Sequence, residues 1–249
     1  MHLPGLPFLR ATVFSIGMIL ATVIWAPLCV LTFPLPHLTR YRFVSRWCAF
    51  VVWWLEITCG VHAEVEGREN LPKRAAVVVP KHSSTWETLF LTTLFEPLLY
   101  VVKKELLWVP FFGWGLAVVR PIAIDRSAGR SAMAQVLEQG TEKLNKGCSI
   151  CIFPEGTRVP VGKRRRYGMG AILLAKESGA PLVPIAHNAG QFWARRSFLK
   201  KSGTIRLVIG TPIDPSSYDA EALREMTESW IEETTERLTG ITATQLHGK

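Results

Sequence analysis

The residues best suited to chemistry are His82 and Glu87, which lie in the segment Lys81–Glu87 (KHSSTWE). This segment follows a short apolar run that ends at Pro80, and such a run predicts a strand that leads into a helix. A histidine at this junction is held by the sheet and exposed at its edge, where α/β folds place their sites. Because imidazole titrates near neutral pH, His82 is suited to act as a general base.

Glu87 has two interpretations. In the first, its carboxylate accepts a hydrogen bond from His82 and stabilises the imidazolium that forms when His82 takes a proton. This requires His82 to lie before the helix, because five positions along one helix diverge by about 140°. In the second, Ser84 and Glu87 form a capping box, in which Glu87 reaches back to the start of the helix and contributes mainly to stability. His82 would then be an ordinary solvated loop histidine.

Three later segments lie at other apolar runs: two place polar residues where a run ends, and the third has a proline within its run. They are Asp125-Arg126, Phe153–Arg158 (FPEGTR) and Val183–Ile185 (VPI). Arginine suits phosphate because its planar guanidinium can donate two parallel hydrogen bonds, and Gly156 permits a tight turn and close approach of a ligand. Taken singly, Asp125-Arg126 could be a surface ion pair and FPEGTR an ordinary turn. These segments therefore indicate a site only in combination.

The cysteines and His187 favour structural roles. Cys148 and Cys151 have the Cys-x-x-Cys spacing, but positions three apart on a strand point to opposite faces. We therefore predict core thiols and no bound metal. The five cysteines are too scattered for the disulfide framework of a small secreted domain, which predicts reduced thiols and a cytosolic body. His187 is expected to be structural as well.

Composition and charge indicate an anionic partner. The chain has 249 residues, of which 48% are hydrophobic and 20% charged, and its net charge is +9. This excludes a disordered chain and favours a membrane surface, a nucleic acid or a phosphorylated substrate. Residues 163–201 contain nine basic residues and one acid, a cluster suited to lipid headgroups or an acidic carrier protein. Nucleic acid is disfavoured, because the aromatic residues concentrate in the N-terminal apolar segment instead.

The N-terminal segment is apolar enough to attach the chain to a membrane. No charged residue lies between Arg10 and Arg40. The run Ala11–Ala26 would form a helix of about 24 Å, short of the hydrocarbon core of about 30 Å, and a second apolar run covers Trp47–Gly60. A cleaved signal peptide, a spanning helix and two helices embedded in one leaflet all remain open. The arginines after the first run place the body in the cytosol.

The rest of the chain alternates between strand-like runs and helix-length segments, which predicts an α/β domain. We expect a central, mostly buried sheet flanked by helices over residues 62–249, preceded by a membrane-attached helical segment over residues 1–61. The predicted strands are Ala75–Val79, Leu98–Val102, Ala117–Ile124, Ser149–Phe153, Leu182–Ala186 and Thr204–Ile209. The predicted helices cover about Thr85–Phe95, Arg130–Asn145, Met169–Ser178 and Ala220–Leu238.

In order and spacing, the four polar segments resemble the four sequence blocks of the glycerolipid acyltransferases. The chain is most similar to the bacterial 1-acyl-sn-glycerol-3-phosphate acyltransferases (the PlsC-like family) over about residues 45–215. The segment Lys103–Leu106, with the Pro110 and Gly113 that follow, also looks like that family. Glu87 departs from the pattern, because the family usually has aspartate there. The lysine that often follows the third block is missing, although Lys163 and the arginines after it could substitute.

The resemblance implies a reaction. His82, oriented by Glu87, would remove the proton from the sn-2 hydroxyl of 1-acyl-glycerol-3-phosphate as it attacks an acyl thioester, giving phosphatidic acid. The donor would be acyl-CoA or acyl-carrier protein, and no further cofactor or metal is implied. The location would be a bacterial inner membrane with the catalytic domain facing the cytoplasm. Another lysolipid, such as lyso-ornithine lipid or a lipid A precursor, remains open as acceptor, as does a non-catalytic lipid or carrier-protein binder.

The resemblance also implies which residues bind the substrate. The positively charged residues would hold the acceptor phosphate, and Glu155 would orient Arg158 or the acceptor. The substrate-binding residues implied in this way are Lys104, Arg126, Glu155, Gly156, Thr157 and Arg158.

Overall fold

The computed structural model describes residues 5–125 and 128–246. Two long helices begin the chain: α1, Leu6–Leu31, and α2, His37–Cys59, which pack against each other. α1 continues through Pro27 and is about 39 Å long, so it exceeds the apolar run from which a helix is predicted. α2 ends at Gly60, which adopts φ +66° and donates its N–H to Glu56. Glycine tolerates this left-handed conformation, which lets the chain pass directly into the first strand.

A mostly parallel sheet forms the centre of the body. Within the described residues it has seven strands, in the order β1-β8-β7-β2-β5-β3-β4, and only β7 and β8 pair antiparallel. A separate pair, β6 and β9, links the basic loop to the C-terminal segment. The strands are β1 Val61–Glu66, β2 Val77–Pro80, β3 Leu98–Lys103, β4 Ile122–Ile124, β5 Ser149–Cys151, β6 Lys163–Arg164, β7 Leu182–His187, β8 Gly203–Ile209 and β9 Thr244–Gln245.

Helices flank this sheet, which confirms the predicted fold class. α3 packs against α2, and α5 packs against α6. The last helix packs against β7, as its apolar stripe requires. The remaining helices are α3 Trp86–Leu94, α4 Phe112–Val118, α5 Arg130–Asn145, α6 Gly170–Ser178 and α7 Ala220–Thr239.

One hydrophobic core joins the sheet to α2. β2 lies between β7 and β5 and is completely buried, because helices cover both faces of a parallel sheet. Tyr41, Val51 and Leu55 of α2 belong to the same core and are inaccessible to solvent. The Tyr41 hydroxyl also donates to the carbonyls of Thr92 and Phe95. α2 is therefore fixed to the body along most of its length.

The predicted strand Ala117–Ile124 is wrong in its first half. α4 occupies Phe112–Val118, and only Ile122–Ile124 forms a strand. A short apolar run has no periodicity that separates a buried helix from a buried strand. Pro121 then ends the helical stretch, because the residue before a proline is disfavoured in the helical region.

The prediction also missed β1, an edge strand in which apolar and polar residues alternate. The other strands and helices predicted for the sheet domain are shifted by at most two residues at either end, whereas α1 and α2 extend well beyond the apolar runs Ala11–Ala26 and Trp47–Gly60.

The parallel arrangement gathers the candidate site residues at one edge. β2, β3, β4, β5 and β7 all point the same way. Their carboxyl ends therefore lie side by side. β2, β3, β4 and β5 are each followed by one of the segments singled out in the sequence, whereas Val183–Ile185 lies within β7. All five cysteines are buried and free. Among the described residues, no cluster of His, Cys, Asp or Glu is arranged to hold a metal ion.

Candidate active site

His82 lies in the short loop between β2 and α3, before the helix begins. Its side chain is 13% exposed, and its Nδ1 atom lies 2.9 Å from Oε1 of Glu87. The contact that the first interpretation of Glu87 requires is therefore present. Because a carboxylate can only accept, Nδ1 carries the proton in this pair, and in the neutral ring Nε2 is left unprotonated. This tautomer suits a base that takes a proton from a substrate hydroxyl at Nε2.

Glu87 also caps α3, so the contacts that its two interpretations require are both present. Its Oε1 atom accepts hydrogen bonds from the backbone N–H groups of Ser83 (3.1 Å) and Ser84 (2.9 Å). The Ser84 hydroxyl in turn accepts from the N–H of Trp86 at 3.1 Å. One buried oxygen therefore receives two backbone donors and the imidazole. The capping box positions the carboxylate that orients His82.

Burial disfavours the charged form of the Glu87 carboxyl, but interactions with neighbouring groups favour that form more strongly. Burial alone would raise the pKa of this carboxyl, whereas His187, His82 and the N–H of Ser84 together hold the pKa below its ordinary value. The charged form is the one that can stabilise an imidazolium at His82. Glu87 is therefore ionised in the pH range where His82 can act as a base.

His187 is a buried structural histidine, as its sequence context predicts. Its Nε2 donates to the carbonyl of Lys81 at 2.8 Å, and its Nδ1 accepts from the N–H of Ala189 at 3.2 Å. Burial lowers its pKa, which favours the neutral ring. Its Nε2 lies 3.9 Å from Oε2 of Glu87. Glu87 therefore lies between two histidines, an arrangement that the sequence alone does not indicate.

Aromatic rings fix the plane of His82. The ring of Phe153 stacks on His82 with centroids 3.7 Å apart and an interplanar angle of 20°. Tyr100 stacks in turn on Phe153 at 6.1 Å. This gives the first residue of the FPEGTR segment a role: it restricts the imidazole to one orientation. The Val159 N–H also donates to the carbonyl of His82 at 2.7 Å, which holds the two loops together.

Glu155 lies beneath this loop and is buried with both oxygens occupied. Its Oε2 accepts from the backbone N–H of His82 at 2.7 Å, and its Oε1 accepts from Lys81 Nζ at 2.8 Å. Lys81 donates in addition to Glu232 of α7 at 2.7 Å, and the Tyr167 hydroxyl donates to Glu232 at 2.9 Å. This network ties the catalytic loop to the C-terminal helix. The sequence offers no local signal for it, because Glu232 comes from a distant helix.

The position of Glu155 differs from the predicted one. The sequence places it among the substrate-binding residues, whereas its contacts show a carboxylate that supports the backbone of His82. Burial raises the pKa of Glu155 to about 7, although Lys81 and the N–H of His82 act in the opposite direction. The pKa of Lys81 is also raised, because the two carboxylates outweigh the effect of its burial.

A pH titration can test this buried network. The folded protein holds the Glu155 proton more tightly than an unfolded chain with the ordinary pKa of 4.5, since the folded pKa is about 7. Its contribution to stability is therefore complete below pH 4.5 and is lost as the pH rises to about 7. Relative to Glu155→Gln, the wild type should lose up to about 1.4 kcal/mol of stability per pH unit in this window. Thermal unfolding of both proteins as a function of pH measures the difference.

The control for this titration is Glu177→Gln, since Glu177 is exposed on α6. The stability of this variant should depend on pH in the same way as that of the wild type. A wild-type profile that stays parallel to that of Glu155→Gln would show that Glu155 has an ordinary pKa.

The other predicted binding residues that the structure describes lie at the same edge of the sheet. Gly156 is exposed with φ +68°, and Thr157 and Arg158 are partly exposed. The carbonyl of Arg158 accepts a hydrogen bond from Arg195 at 3.0 Å. Lys104 follows β3 and forms an exposed ion pair with Asp125, which follows β4. Arg126 lies outside the described residues.

An apolar cavity of about 110 Å³ lies between the N-terminal helices and α3. Thr88, which follows Glu87, and Tyr100, which belongs to the aromatic stack, both line it. Its other walls come from the two N-terminal helices and α4, including Trp25, Tyr41 and Phe112. The lining is almost wholly apolar, which suits a hydrocarbon chain. The sequence did not predict this cavity, because its walls come from five separate elements.

A partly exposed histidine whose Nδ1 is hydrogen-bonded to a buried carboxylate has the arrangement that a general base requires. The family model described as "Acyltransferase" matches residues 62–188, and the chain belongs to this acyltransferase family.

Individual relatives agree with this assignment. The chain is 43% identical over 238 residues to the 1-acyl-sn-glycerol-3-phosphate acyltransferase of Pseudomonas aeruginosa, covering 94% of this chain and 93% of the relative. It is 29% identical to the enzyme of the same name from Borreliella burgdorferi, covering 77% and 78%. The crystal structure of the 1-acyl-sn-glycerophosphate acyltransferase PlsC from Thermotoga maritima matches with a TM-score of 0.77 at 22% identity, covering 95% and 98%. This last likeness concerns the fold.

Proposed function

We propose that the protein transfers a fatty acyl group from an acyl thioester to the sn-2 hydroxyl of 1-acyl-sn-glycerol-3-phosphate and so forms phosphatidic acid. The observation that carries this proposal is the His82–Glu87 pair, together with the apolar cavity that the next residue, Thr88, lines. The names of the relatives from P. aeruginosa and B. burgdorferi support the choice of acceptor. The donor is acyl-CoA or acyl-carrier protein.

The proposed reaction follows from the protonation states of the site. Nε2 of His82 takes the proton of the acceptor hydroxyl while the hydroxyl oxygen attacks the thioester carbonyl. Glu87 stabilises the imidazolium that results. The tetrahedral intermediate then breaks its carbon–sulfur bond, and the departing thiolate takes the proton from His82. The ester and the free thiol are the products, and the site returns to its starting protonation state.

The decisive experiment is an assay of the purified protein with a panel of lysolipids and both donors. We expect 1-acyl-sn-glycerol-3-phosphate to be acylated with the highest kcat/KM. Lysolipids without a terminal phosphate, including lyso-ornithine lipid, should react far more slowly, because they cannot use the positive charges at this edge. Faster acylation of such a lipid would assign a different acceptor, and transfer to none of them would refute the enzymatic proposal.

Arg158 is proposed to hold the acceptor phosphate. It follows β5 in the loop that contacts His82 through Val159, and among the described residues its guanidinium forms no ion pair. Arg158→Ala should raise the KM for the phosphate-bearing acceptor by about 10-fold or more, since hydrogen bonds to charged groups contribute about 1.5–3 kcal/mol. The KM for the donor should stay unchanged. Arg68→Ala, which removes an exposed charge after β1 at the opposite edge of the sheet, is the matched control. If Arg158→Ala raises the donor KM instead, this arginine binds the donor.

The apolar outer face of α1 is proposed to embed the protein in one leaflet of the membrane. α1 is long and apolar enough to cross a bilayer, but it packs on α2, which is fixed to the body from Tyr41 to Cys59. A spanning α1 would therefore draw the body into the hydrocarbon. A helix that lies along the surface avoids this and leaves its outer face in the lipid. We place the protein on the cytoplasmic side of a bacterial inner membrane.

Three substitutions on this face test the attachment. Ile16, Leu20 and Ile24 are each more than half exposed, so changing all three to glutamine should leave the core intact. We expect the variant to move from the membrane pellet to the supernatant after an alkaline wash, because about 1.5–3 kcal/mol of apolar burial per side chain is lost. Substitution of the exposed Tyr218 and Ile241 by glutamine should not release the protein. Retention of the triple variant in the pellet would place the membrane contact elsewhere.

A further inference from the structure

Two arginines without an opposite charge lie next to Phe33, in the turn between α1 and α2. Cζ of Arg40 lies 5.4 Å from the centroid of the Phe33 ring, and Cζ of Arg120 lies 5.8 Å from the same centroid. Among the described residues, no carboxylate forms an ion pair with either arginine. Two guanidinium groups at one ring repel each other. An anion bound next to both groups would reduce this repulsion.

Arg40 is unusual because it is buried as well as unpaired. Its residue is only 5% exposed. Its Nε and Nη1 atoms are enclosed, and neither has a hydrogen-bond partner among the described residues. An arginine cannot shed its charge in a protein, and a buried donor without an acceptor is costly, more so when it is charged. A ligand that accepts hydrogen bonds and carries negative charge would remove this cost.

The start of α2 adds positive potential at the same place. Pro36 precedes the helix, no side chain caps it, and its first turn contains no acid. The free N–H groups at the start of a 23-residue helix are equivalent to a partial positive charge. Arg40 lies within this first turn, where a basic residue is unfavourable. The side chain of His37, in the same turn, does not reduce this positive potential, because its Nε2 donates a hydrogen bond to the carbonyl of Val119.

This cluster lies far from the catalytic residues. Arg120 precedes β4 and Asp125 follows it. β4 runs parallel to β3, and β3 is connected through β5 to β2 by parallel pairs. Arg120 is therefore at the amino edge of the sheet, whereas His82 lies at the carboxyl edge. An anion held here is not the phosphate that Arg158 is proposed to bind.

The surroundings of the cluster indicate what kind of anion it binds. Phe33 and Leu35 of the turn are about half exposed, and the turn continues the apolar outer face of α1. An anion at this place would sit among apolar side chains at the level of the lipid headgroups. Phosphate is the anion that arginines and helix N-termini both bind well.

We infer that Arg40, Arg120 and the first turn of α2 form a binding site for the phosphate group of an anionic membrane lipid. The site goes beyond the proposed acyl transfer and is independent of it. The bound phosphate neutralises the two guanidiniums and so offsets the cost of the buried charge of Arg40. It also fixes the end of the α1–α2 pair at the depth of the headgroups.

The experiment measures thermal unfolding of the full-length protein in a non-ionic detergent. Phosphatidylglycerol, phosphatidylcholine or inorganic phosphate is added at matched concentrations. Phosphatidylglycerol should raise the unfolding midpoint of the wild type by several degrees, because a ligand that binds only the folded state stabilises it. Phosphatidylcholine should have a much smaller effect. The double variant Arg40→Gln/Arg120→Gln should lose the response, and Arg46→Gln, on the exposed side of the same helix, should keep it.

A second variant keeps the test decisive if the double variant unfolds. Arg40→Met removes the buried charge and preserves much of the side-chain volume. Without lipid, its midpoint should equal or exceed that of the wild type, and phosphatidylglycerol should raise it less. If inorganic phosphate raises the wild-type midpoint as much as the lipid does, the site binds free phosphate and the assignment to a lipid is wrong. An equal lipid response in the wild type and all arginine variants overturns the site. None of these outcomes depends on acyl transfer.

Discussion

Replacement of His82 by alanine is expected to lower kcat by about 10²–10⁴-fold, the range in which a positioned general base contributes. The imidazole is the group that takes the hydroxyl proton, and water cannot replace it in the same orientation. The fold should survive, because the His82 ring is partly exposed and its backbone contacts to Glu155 and Val159 do not involve the side chain. Steady-state kinetics on protein of unchanged circular dichroism measures the effect.

A second histidine–glutamate pair provides the control for this result. His62 lies on β1, and its Nδ1 is 2.9 Å from Oε1 of Glu56, but both side chains are largely exposed. His62→Ala removes the same kind of pair at the surface and should leave kcat within about 2-fold, since surface pairs contribute little. Near-normal turnover of well-folded His82→Ala would refute the general-base mechanism.

Glu87→Gln is expected to lower kcat by at least about 100-fold while keeping the orientation of His82. The amide oxygen can still accept from Nδ1 of His82 and from the N–H groups of Ser83 and Ser84. The ring therefore keeps its tautomer, but the charge that stabilises the imidazolium is gone. Glu87→Asp keeps the charge at a reach one methylene shorter and should be intermediate in kcat.

The same change should also lower stability, for a reason that only the structure shows. Oε2 of Glu87 is buried without a hydrogen-bond partner among the described residues, and it lies 3.9 Å from Nε2 of His187. In Glu87→Gln the amide nitrogen takes this position and faces another donor. An unsatisfied buried donor costs about 1–3 kcal/mol. Glu56→Gln is the surface control and should change neither quantity. Loss of stability with unchanged kcat in Glu87→Gln would leave Glu87 with the capping role alone.

The parts of the site that could be predicted from the sequence are those with local signals. The capping box Ser84–Glu87 fixes the start of α3, and this placed His82 before the helix. The FPEGTR segment and the apolar runs located the strand ends, and α5 has the predicted bounds Arg130–Asn145.

The parts that could not be predicted depend on residues far apart in the chain. Glu232 lies on a helix whose sequence indicates only an amphipathic outer face, and tertiary packing brings it to Lys81. The pair of Glu87 with His187 arises in the same way, from the alignment of β7 beside β2. The strand prediction at Ala117–Val118 failed because a buried helix and a buried strand are equally apolar there.

The two N-terminal helices also form walls of the apolar cavity, so their role is not limited to the proposed attachment to the membrane. Trp25 of α1 and Tyr41 of α2 line the cavity that begins at Thr88, and α2 completes the core of the sheet domain. The proposed membrane attachment and the proposed acyl-chain pocket are thus built from the same two helices. An unrelated anchor grafted in their place could restore the location of the protein but not the shape of its pocket. The helices are therefore not an interchangeable module, and variation along their inner faces will change which acyl chains fit.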